Sequence, residues 1–172
     1  MRKSSRRSSM RLILDIHSKK PWPSCQLSNF AEAPFELDGL RFTCIEGFLQ
    51  SLKDPVNQEE YQFLTAREAK ERGSKIKWQR AGYLYWRGTA FRRYDWPTYR
   101  VLLVRAYDAM FEANPATVEA LLQTGRCVLW HSVGRWSRHR TCLTTFEFLY
   151  LLYRARRIQR RNQRQKYLSD CC

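Results

Sequence analysis

The sequence is poor in residues that build metal centres and phosphate-binding loops. Its three histidines, His17, His131 and His139, lie far apart, and none of its six cysteines forms a C-x-x-C pair. Metal sites need closely spaced ligands of this kind, so we expect no metal. The seven glycines form no glycine-rich phosphate loop, and no serine lies in a nucleophile elbow. These absences argue against P-loop enzymes, serine hydrolases and metal catalysis, and we expect no cofactor.

Long hydrophobic runs are missing as well. No apolar stretch approaches the roughly 20 residues of a membrane-spanning helix. The basic N-terminus is not followed by the apolar core of a signal peptide. The cysteines show no disulfide framework, so we expect reduced thiols. We therefore expect a cytoplasmic protein with no membrane partner.

Acidic residues are scarce at both ends of the chain. Residues 1–14 contain five Lys or Arg and no acid, and residues 151–172 contain seven Lys or Arg and one acid, within a total net charge of +15. Basic termini attract polyanions without reading their sequence. Nucleic acid is therefore one candidate partner of the two ends. The alternative is that both ends are solvated segments that only aid solubility.

The chain is expected to form a single α+β domain, predominantly helical, with a few short strands. Its 172 residues, of which 44% are hydrophobic, suit one folded domain. We expect residues 1–11 to be a disordered basic N-terminus. Residues 12–156 are predicted to form the domain, and residues 157–172 a basic C-terminal tail.

Local patterns predict where the helices and strands lie. A capping box at Thr43 and Glu46 predicts the start of the first helix, and Thr144 and Glu147 repeat that pattern before the last helix. Asp38-Gly39 predicts a tight hairpin turn. Further helices are predicted from Asn57 to Arg72, with Gly73 as the stop, and from Asn114 to Gly125. Another helix is predicted to start at Asp95, and its inward-facing residues are Val101, Leu102, Val104, Ala106 and Met110. Strands are predicted at 12–16 and 127–131.

Residues 46–53 carry the side chains best suited to chemistry. Glu46, Gln50 and Lys53 stand at positions i, i+4 and i+7, which places them on one face of a helix. A carboxylate can act as a general acid or base, and an amine can attack a carbonyl-like carbon. An amide can orient a sugar hydroxyl. A purely solvated face with Glu46 as a cap is the alternative.

Several short motifs together resemble one known family. The segment Leu27-Ser28-Asn29-Phe30, the segment 34–39, Phe42 and the E-x-x-x-Q-x-x-K set of residues 46–53 resemble the N-terminal signature of the YbiA-like (NADAR) family. Further blocks follow in the family's order: Ala69-Lys70-x-x-Gly73, Asp95-Trp96, Asn114-Pro115 and Leu121-Leu122-x-Thr124-Gly125. The resemblance covers roughly residues 25–156 and implies the YbiA-like fold.

The resemblance implies a hydrolase that cleaves N-glycosidic bonds to ribose. Its implied substrates are ADP-ribose linked to a nucleobase such as guanine in nucleic acid, an NAD-derived or other N-riboside metabolite, or an intermediate of riboflavin synthesis. It implies catalytic roles for Glu46 and Lys53, and ligand contacts from Asn29, Gln50 and Trp96. His131, in a His-Ser-x-Gly sequence, is a further candidate for substrate binding because histidine titrates near neutral pH.

Departures from the family pattern leave two other functions open. Many members have a histidine where this chain has Gly47, and an Asp followed by Trp-Gly where it has Leu129–Gly134. These changes favour a protein that binds ADP-ribose or a nucleotide without turnover. The basic ends favour a nucleic-acid-binding protein that acts through its termini.

Overall fold

The computed structural model describes residues 12–169, and it confirms a single α+β domain that is rich in helix. The predicted disordered segment 1–11 lies outside the described residues, as do Cys171 and Cys172. Short 3-10 turns span Cys25–Leu27, Gln58–Phe63 and Trp78–Arg80. The elements in chain order are β1 Ile13–Asp15, β2 Phe35–Leu37, β3 Leu40–Phe42, α1 Ile45–Ser51, α2 Ala66–Ser74, β4 Tyr83–Trp86, β5 Thr89–Arg92, α3 Trp96–Ala113, α4 Pro115–Gln123, β6 Val128–Trp130 and α5 Thr145–Ser169.

Within residues 12–169, six strands form three two-stranded sheets. β1 pairs with β6 in parallel, with Leu14 opposite Leu129. β2–β3 and β4–β5 are antiparallel hairpins. The first hairpin turns at Asp38-Gly39 as predicted, with φ of 49° and 80°. The strand predicted at 127–131 is confirmed as β6. The second hairpin was not predicted, because its turn residues Arg87-Gly88 lack the Asn-Gly or Asp-Gly signature.

Three predicted helix boundaries are wrong: the cap of α1, the extent of the helix predicted at 57–72, and the stop at Gly73. Cys44 caps α1 instead of Thr43, because the Cys44 Sγ accepts from the Gly47 backbone amide at 3.4 Å and the Thr43 hydroxyl donates to the Leu64 carbonyl. The single helix predicted from 57 to 72 is a 3-10 turn followed by α2. The break comes at Thr65, which starts α2 with its own capping box.

Gly73 also departs from its predicted role as a helix stop. α2 continues through it to Ser74, and Gly73 is buried. In α3 the inward-facing prediction holds for Leu102, Ala106 and Met110, and Val104 packs partly buried against the core. It is wrong for Val101, which is 60% exposed. An 18-residue helix at 3.6 residues per turn keeps only one stripe against the core, and Val101 falls outside it.

The predicted capping box at the start of α5 is confirmed and belongs to a buried ion pair. The Thr144 amide donates to Glu147 at 2.8 Å, and the Glu147 amide donates to the Thr144 hydroxyl at 3.2 Å. The Arg93 guanidinium, fully buried after β5, binds both Glu147 oxygens, and Arg138 adds a further bond. Arg93 therefore ties the β4–β5 hairpin to α5.

The short helix α1 lies at the centre of the domain. All seven of its residues are buried, and it packs against α2, α3 and β3. Phe48 on α1 contacts Phe35, Phe42 and Trp86 edge-on, with ring centroids 5.3–6.3 Å apart. Such aromatic contacts fix the helix orientation. Across residues 12–169 the structure contains no helix long and apolar enough to cross a membrane.

Candidate active site

The predicted face of Glu46, Gln50 and Lys53 forms a hydrogen-bonded row. The Gln50 amide donates to Glu46 Oε1 at 2.6 Å, and the Lys53 ammonium donates to Gln50 Oε1 at 2.5 Å. Lys53 lies just beyond the end of α1, in a turn that keeps its side chain in line with the helix because Leu52 stays in the right-handed helical region. The row is not a solvated face, since Glu46 is 4% and Gln50 1% exposed.

Lys70 on α2 completes the row from the opposite side. Its ammonium lies 2.9 Å from Glu46 Oε1, and the Lys53 ammonium lies 3.5 Å from the Gly73 carbonyl. Both partners of the Glu46 carboxylate therefore bind Oε1. Within residues 12–169, Glu46 Oε2 has no hydrogen-bond partner. One carboxylate oxygen is held in place, and the other remains for a ligand.

Gly73 allows α2 to approach the row. A Cβ at this position would lie 2.1 Å from Gln50 Oε1 and 2.9 Å from Gln50 Cβ. No side chain fits at such a distance, so only glycine permits this packing of α2 on α1. Gly73 of the Ala69-Lys70-x-x-Gly73 block thus leaves room for the Gln50 side chain, which allows α2 to pack against the row of Glu46, Gln50 and Lys53.

A cavity of about 590 Å³ opens beside the row. Its walls come from the loops around His17 and Asn29, from α1 and α2, and from the segment 131–143. Glu46 is the one acidic residue among those that line it. The other charged lining residues are basic: Lys19, Lys53, Lys70, Arg135 and Arg140. His17 and His131 line the cavity as well. A buried carboxylate in a basic wall suits a ligand that carries phosphates at one end.

Asn29 lines the cavity and is held from two sides. Its side-chain oxygen accepts from the Tyr107 hydroxyl at 2.6 Å, and its backbone carbonyl accepts from the Glu46 amide at 2.9 Å. Burial raises the pKa of Tyr107 well above its ordinary value, so the hydroxyl stays protonated and donates. The loop therefore presents Asn29 in a fixed orientation next to Glu46.

His131 lines the opposite wall, directly after β6. Its Nδ1 lies 2.7 Å from the Ile16 carbonyl, and its ring meets Phe148 edge-on at 4.9 Å. A carbonyl only accepts, so Nδ1 carries a hydrogen in this contact, and Nε2 is the nitrogen left without a protein partner among residues 12–169. Asp15 fixes the next residue, Ser132, through its amide and hydroxyl at 2.9 and 2.8 Å.

Trp96 is not brought to this cavity. It begins α3, stacks edge-on with Tyr150 at 6.0 Å, and lies under the Arg138 guanidinium at 5.8 Å. It is not among the residues that line the cavity. The cavity thus gathers five of the six predicted site residues, Glu46, Lys53, Asn29, Gln50 and His131, and leaves Trp96 outside.

Residues that sequence reasoning missed also line the cavity. Lys70 belongs to the Ala69-Lys70-x-x-Gly73 block, but no local sequence pattern predicts its contact with Glu46. Cys142 is buried at the cavity wall, and burial raises the pKa of its thiol, so it is a protonated thiol rather than a thiolate nucleophile. Among residues 12–169 no cluster of three or more His, Cys, Asp or Glu side chains could hold a metal ion.

Comparison with known proteins agrees with this architecture. The profile of the family described as "Bacteriophage protein GP30.3" matches residues 21–157. A protein of Enterobacteria phage T4, described as "Uncharacterized 17.1 kDa protein in Gp30-rIII intergenic region", is 38% identical over 143 residues, which cover 81% of this chain and 93% of that protein. The NMR structure of the E. coli protein YbiA has a TM-score of 0.61 at 20% identity and covers 90% of this chain and 89% of YbiA.

The fold is therefore that of YbiA, and the YbiA-like resemblance predicted from the sequence motifs is confirmed. Within this fold class, the chain belongs to the GP30.3 family of bacteriophage proteins.

Proposed function

We propose that this protein is a hydrolase that cleaves an N-glycosidic bond between a base and ribose in an ADP-ribose-type compound. The observation that carries the proposal is the buried Glu46 carboxylate, which faces a 590 Å³ cavity whose other charged wall residues are basic. The preferred substrate is ADP-ribose attached to a nucleobase, such as guanine in nucleic acid. An N-riboside metabolite or a riboflavin-pathway intermediate uses the same bond chemistry.

Glu46 supplies the electrostatic part of the reaction. Breaking the C1′–N bond builds positive charge on the ribose ring, and a fixed carboxylate near C1′ stabilises that charge. Gln50 and Lys70 hold Oε1, so Oε2 is the oxygen that meets the ribose. Removing one such preorganised group costs about 100- to 1,000-fold in rate.

The basic wall supplies binding. A cavity of this volume falls in the range of about 300–1,000 Å³ typical of small-molecule sites. Arg135 and Arg140 offer planar donors that suit phosphate oxygens. His131, with Nε2 free, can hydrogen-bond the leaving base or exchange a proton with it.

Lys53 has two candidate roles. It orders Gln50 through the 2.5 Å hydrogen bond to Oε1. Alternatively, its neutral amine attacks C1′ of the opened sugar. The C1′=N bond to lysine then forms as the C1′–N bond to the base breaks, and a proton from the lysine nitrogen passes to the departing base nitrogen. Water then hydrolyses the C1′=N bond and frees the amine. Borohydride trapping distinguishes the two roles, because only the second leaves a covalent ribose adduct on Lys53.

The test is release of free ADP-ribose from guanine-ADP-ribosylated DNA, and of the base from small N-ribosides, followed by mass spectrometry. Glu46→Gln and Lys53→Ala are expected to lose at least about 100-fold in rate. The controls Glu36→Gln and Lys75→Ala replace exposed residues away from the cavity and are expected to match the wild type. Binding of ADP-ribose with no release from any of these substrates would contradict the proposal and favour the non-catalytic function.

A further inference from the structure

Beyond its first turn, α5 is strongly basic. From Phe148 to Ser169 the helix contains seven Lys or Arg and no Asp or Glu. Six of the seven are arginines. This segment is distant in sequence from the Glu46 row, and the proposed function does not use it.

Part of this segment forms a groove rather than a plain solvated face. The groove encloses about 310 Å³ and is lined by Tyr153, Arg156, Arg157, Arg160, Arg161 and Arg164. Arginine is the basic side chain whose planar guanidinium binds phosphate through two parallel hydrogen bonds. Tyr153 is 38% exposed, and the Arg156 guanidinium lies over its ring at 4.7 Å, so the opposite ring face is the one that can stack on a base.

The base of the groove is anchored to the turn between α4 and β6. Arg156 is 6% exposed and donates to the Thr124 hydroxyl at 2.9 Å and to the Cys127 carbonyl at 3.0 Å. Arg160 donates to the Gly125 carbonyl. These partners are neutral, so they fix the guanidinium groups without cancelling their charge. Burial and the adjacent Arg160 lower the pKa of Arg156, as expected where cations are crowded.

The outer wall of the groove is free to bind. Arg157, Arg161 and Arg164 are exposed, and within residues 12–169 none of the three takes part in an ion pair. Their spacing of i, i+4 and i+7 places them on one side of the helix over about 10 Å. One strand of a duplex presents a phosphate about every 3.4 Å of its axis, so this span faces about three phosphates.

We propose that this α5 groove binds the phosphate backbone of a nucleic acid. An anionic membrane is the less suitable partner, because the main apolar side of α5 is already buried in the core through Phe148, Leu151, Leu152 and Ala155. Tyr167 and Leu168 near the end of the helix are exposed, but two side chains do not make an apolar face. A helix that binds a bilayer needs such an apolar face free for the lipid. The α5 groove presents positive charge and one aromatic ring, which is the combination that proteins use to bind nucleic acids.

The test measures binding, without turnover, of a fluorescent DNA strand of about 20 nucleotides and of its duplex. The groove variant is Arg157→Gln with Arg161→Gln and Arg164→Gln, which keeps helix propensity and removes three charges. Its matched control removes three charges elsewhere through Arg41→Gln, Arg67→Gln and Lys75→Gln, all exposed and outside both cavities. Circular dichroism and thermal unfolding check that both variants are folded.

The groove variant is expected to bind roughly 100-fold more weakly at about 0.1 M salt. The slope of log K against log salt is expected to fall by about 2 for the single strand and by about 3 for the duplex. The control variant is expected to keep most of the affinity. Equal losses in both variants would overturn the proposal, because only net charge would then matter. So would failure of the wild type to bind either the DNA strand or its duplex, or binding of phosphatidylserine vesicles in place of both. Because no substrate is turned over, these outcomes are independent of the proposed hydrolase activity.

Discussion

Replacing Gly73 with alanine tests how tightly the two helices hold the Glu46 row. The new Cβ would lie 2.1 Å from Gln50 Oε1, and Gln50 is only 1% exposed, so it cannot move into solvent. Overpacking of a buried site costs about 1–3 kcal/mol. Separating the Gln50 amide from Glu46 and Lys53 adds about 1–3 kcal/mol for unsatisfied buried groups. The opposing gain in helix propensity is about 1 kcal/mol.

The expected net loss for Gly73→Ala is therefore about 3 kcal/mol, within a range of about 1–5 kcal/mol. A loss of about 3 kcal/mol lowers the melting temperature of a chain of this size by about 6–12 °C. Gly47→Ala in α1 is the matched control. The nearest atoms to its new Cβ lie 3.7 Å away, which is ordinary van der Waals contact. That variant is expected to gain up to about 1 kcal/mol, because alanine is the better helix former.

Urea unfolding followed by circular dichroism measures both free energies of unfolding. The two variants have the same substitution in buried helix positions. The difference between their free energies of unfolding therefore reports how much room each site has for a Cβ atom. Gly73→Ala that is as stable as Gly47→Ala would refute the inferred close approach of α2 to Gln50. The positioning of the row would then need another explanation.

Three further predictions concern the surroundings of the site. Glu147→Gln is expected to lose about 3–5 kcal/mol of stability in urea, because it leaves the buried Arg93 charge unpaired, whereas exposed Glu112→Gln is expected to change little. Burial alone would raise the pKa of Glu147, but the hydrogen bonds and charge of Arg93 outweigh it and lower that pKa. The ion pair therefore stabilises the fold fully above the usual glutamate pKa of about 4.3. Its contribution is lost as pH falls through the lower native pKa. Acid titration should show this loss in the wild type and not in Glu147→Gln. Tyr107→Phe is expected to cost about 1 kcal/mol and to raise KM more than it lowers kcat, because Asn29 loses its hydroxyl partner.

Local sequence patterns predicted the features that depend on near neighbours. The spacing of Glu46, Gln50 and Lys53 placed three side chains in line, and the structure joins them by hydrogen bonds within one helix turn and its C-terminal turn. The hairpin at Asp38-Gly39 and the capping box at Thr144 and Glu147 are likewise set within a few residues.

Features that depend on distant partners were not predictable in this way. Lys70 contacts Glu46 from another helix, and the need for Gly73 arises from the Gln50 side chain across that interface. The break at Thr65 was hidden because residues 57–72 keep helical composition on both sides of it. Trp96 was assigned to the ligand by resemblance, whereas the structure packs it against Tyr150.

The central claim is that Glu46 acts on a ribosyl N-glycosidic bond, and the most direct measurement is the single-turnover rate of ADP-ribose release from guanine-ADP-ribosylated DNA. Wild type and Glu46→Gln are compared at saturating enzyme, after circular dichroism and ADP-ribose binding have shown both to be folded and able to bind. The account predicts release by the wild type and a rate at least about 100-fold lower for Glu46→Gln. Equal rates for the two proteins would contradict the role of Glu46, and no release by the folded wild type would contradict the proposed activity on this substrate.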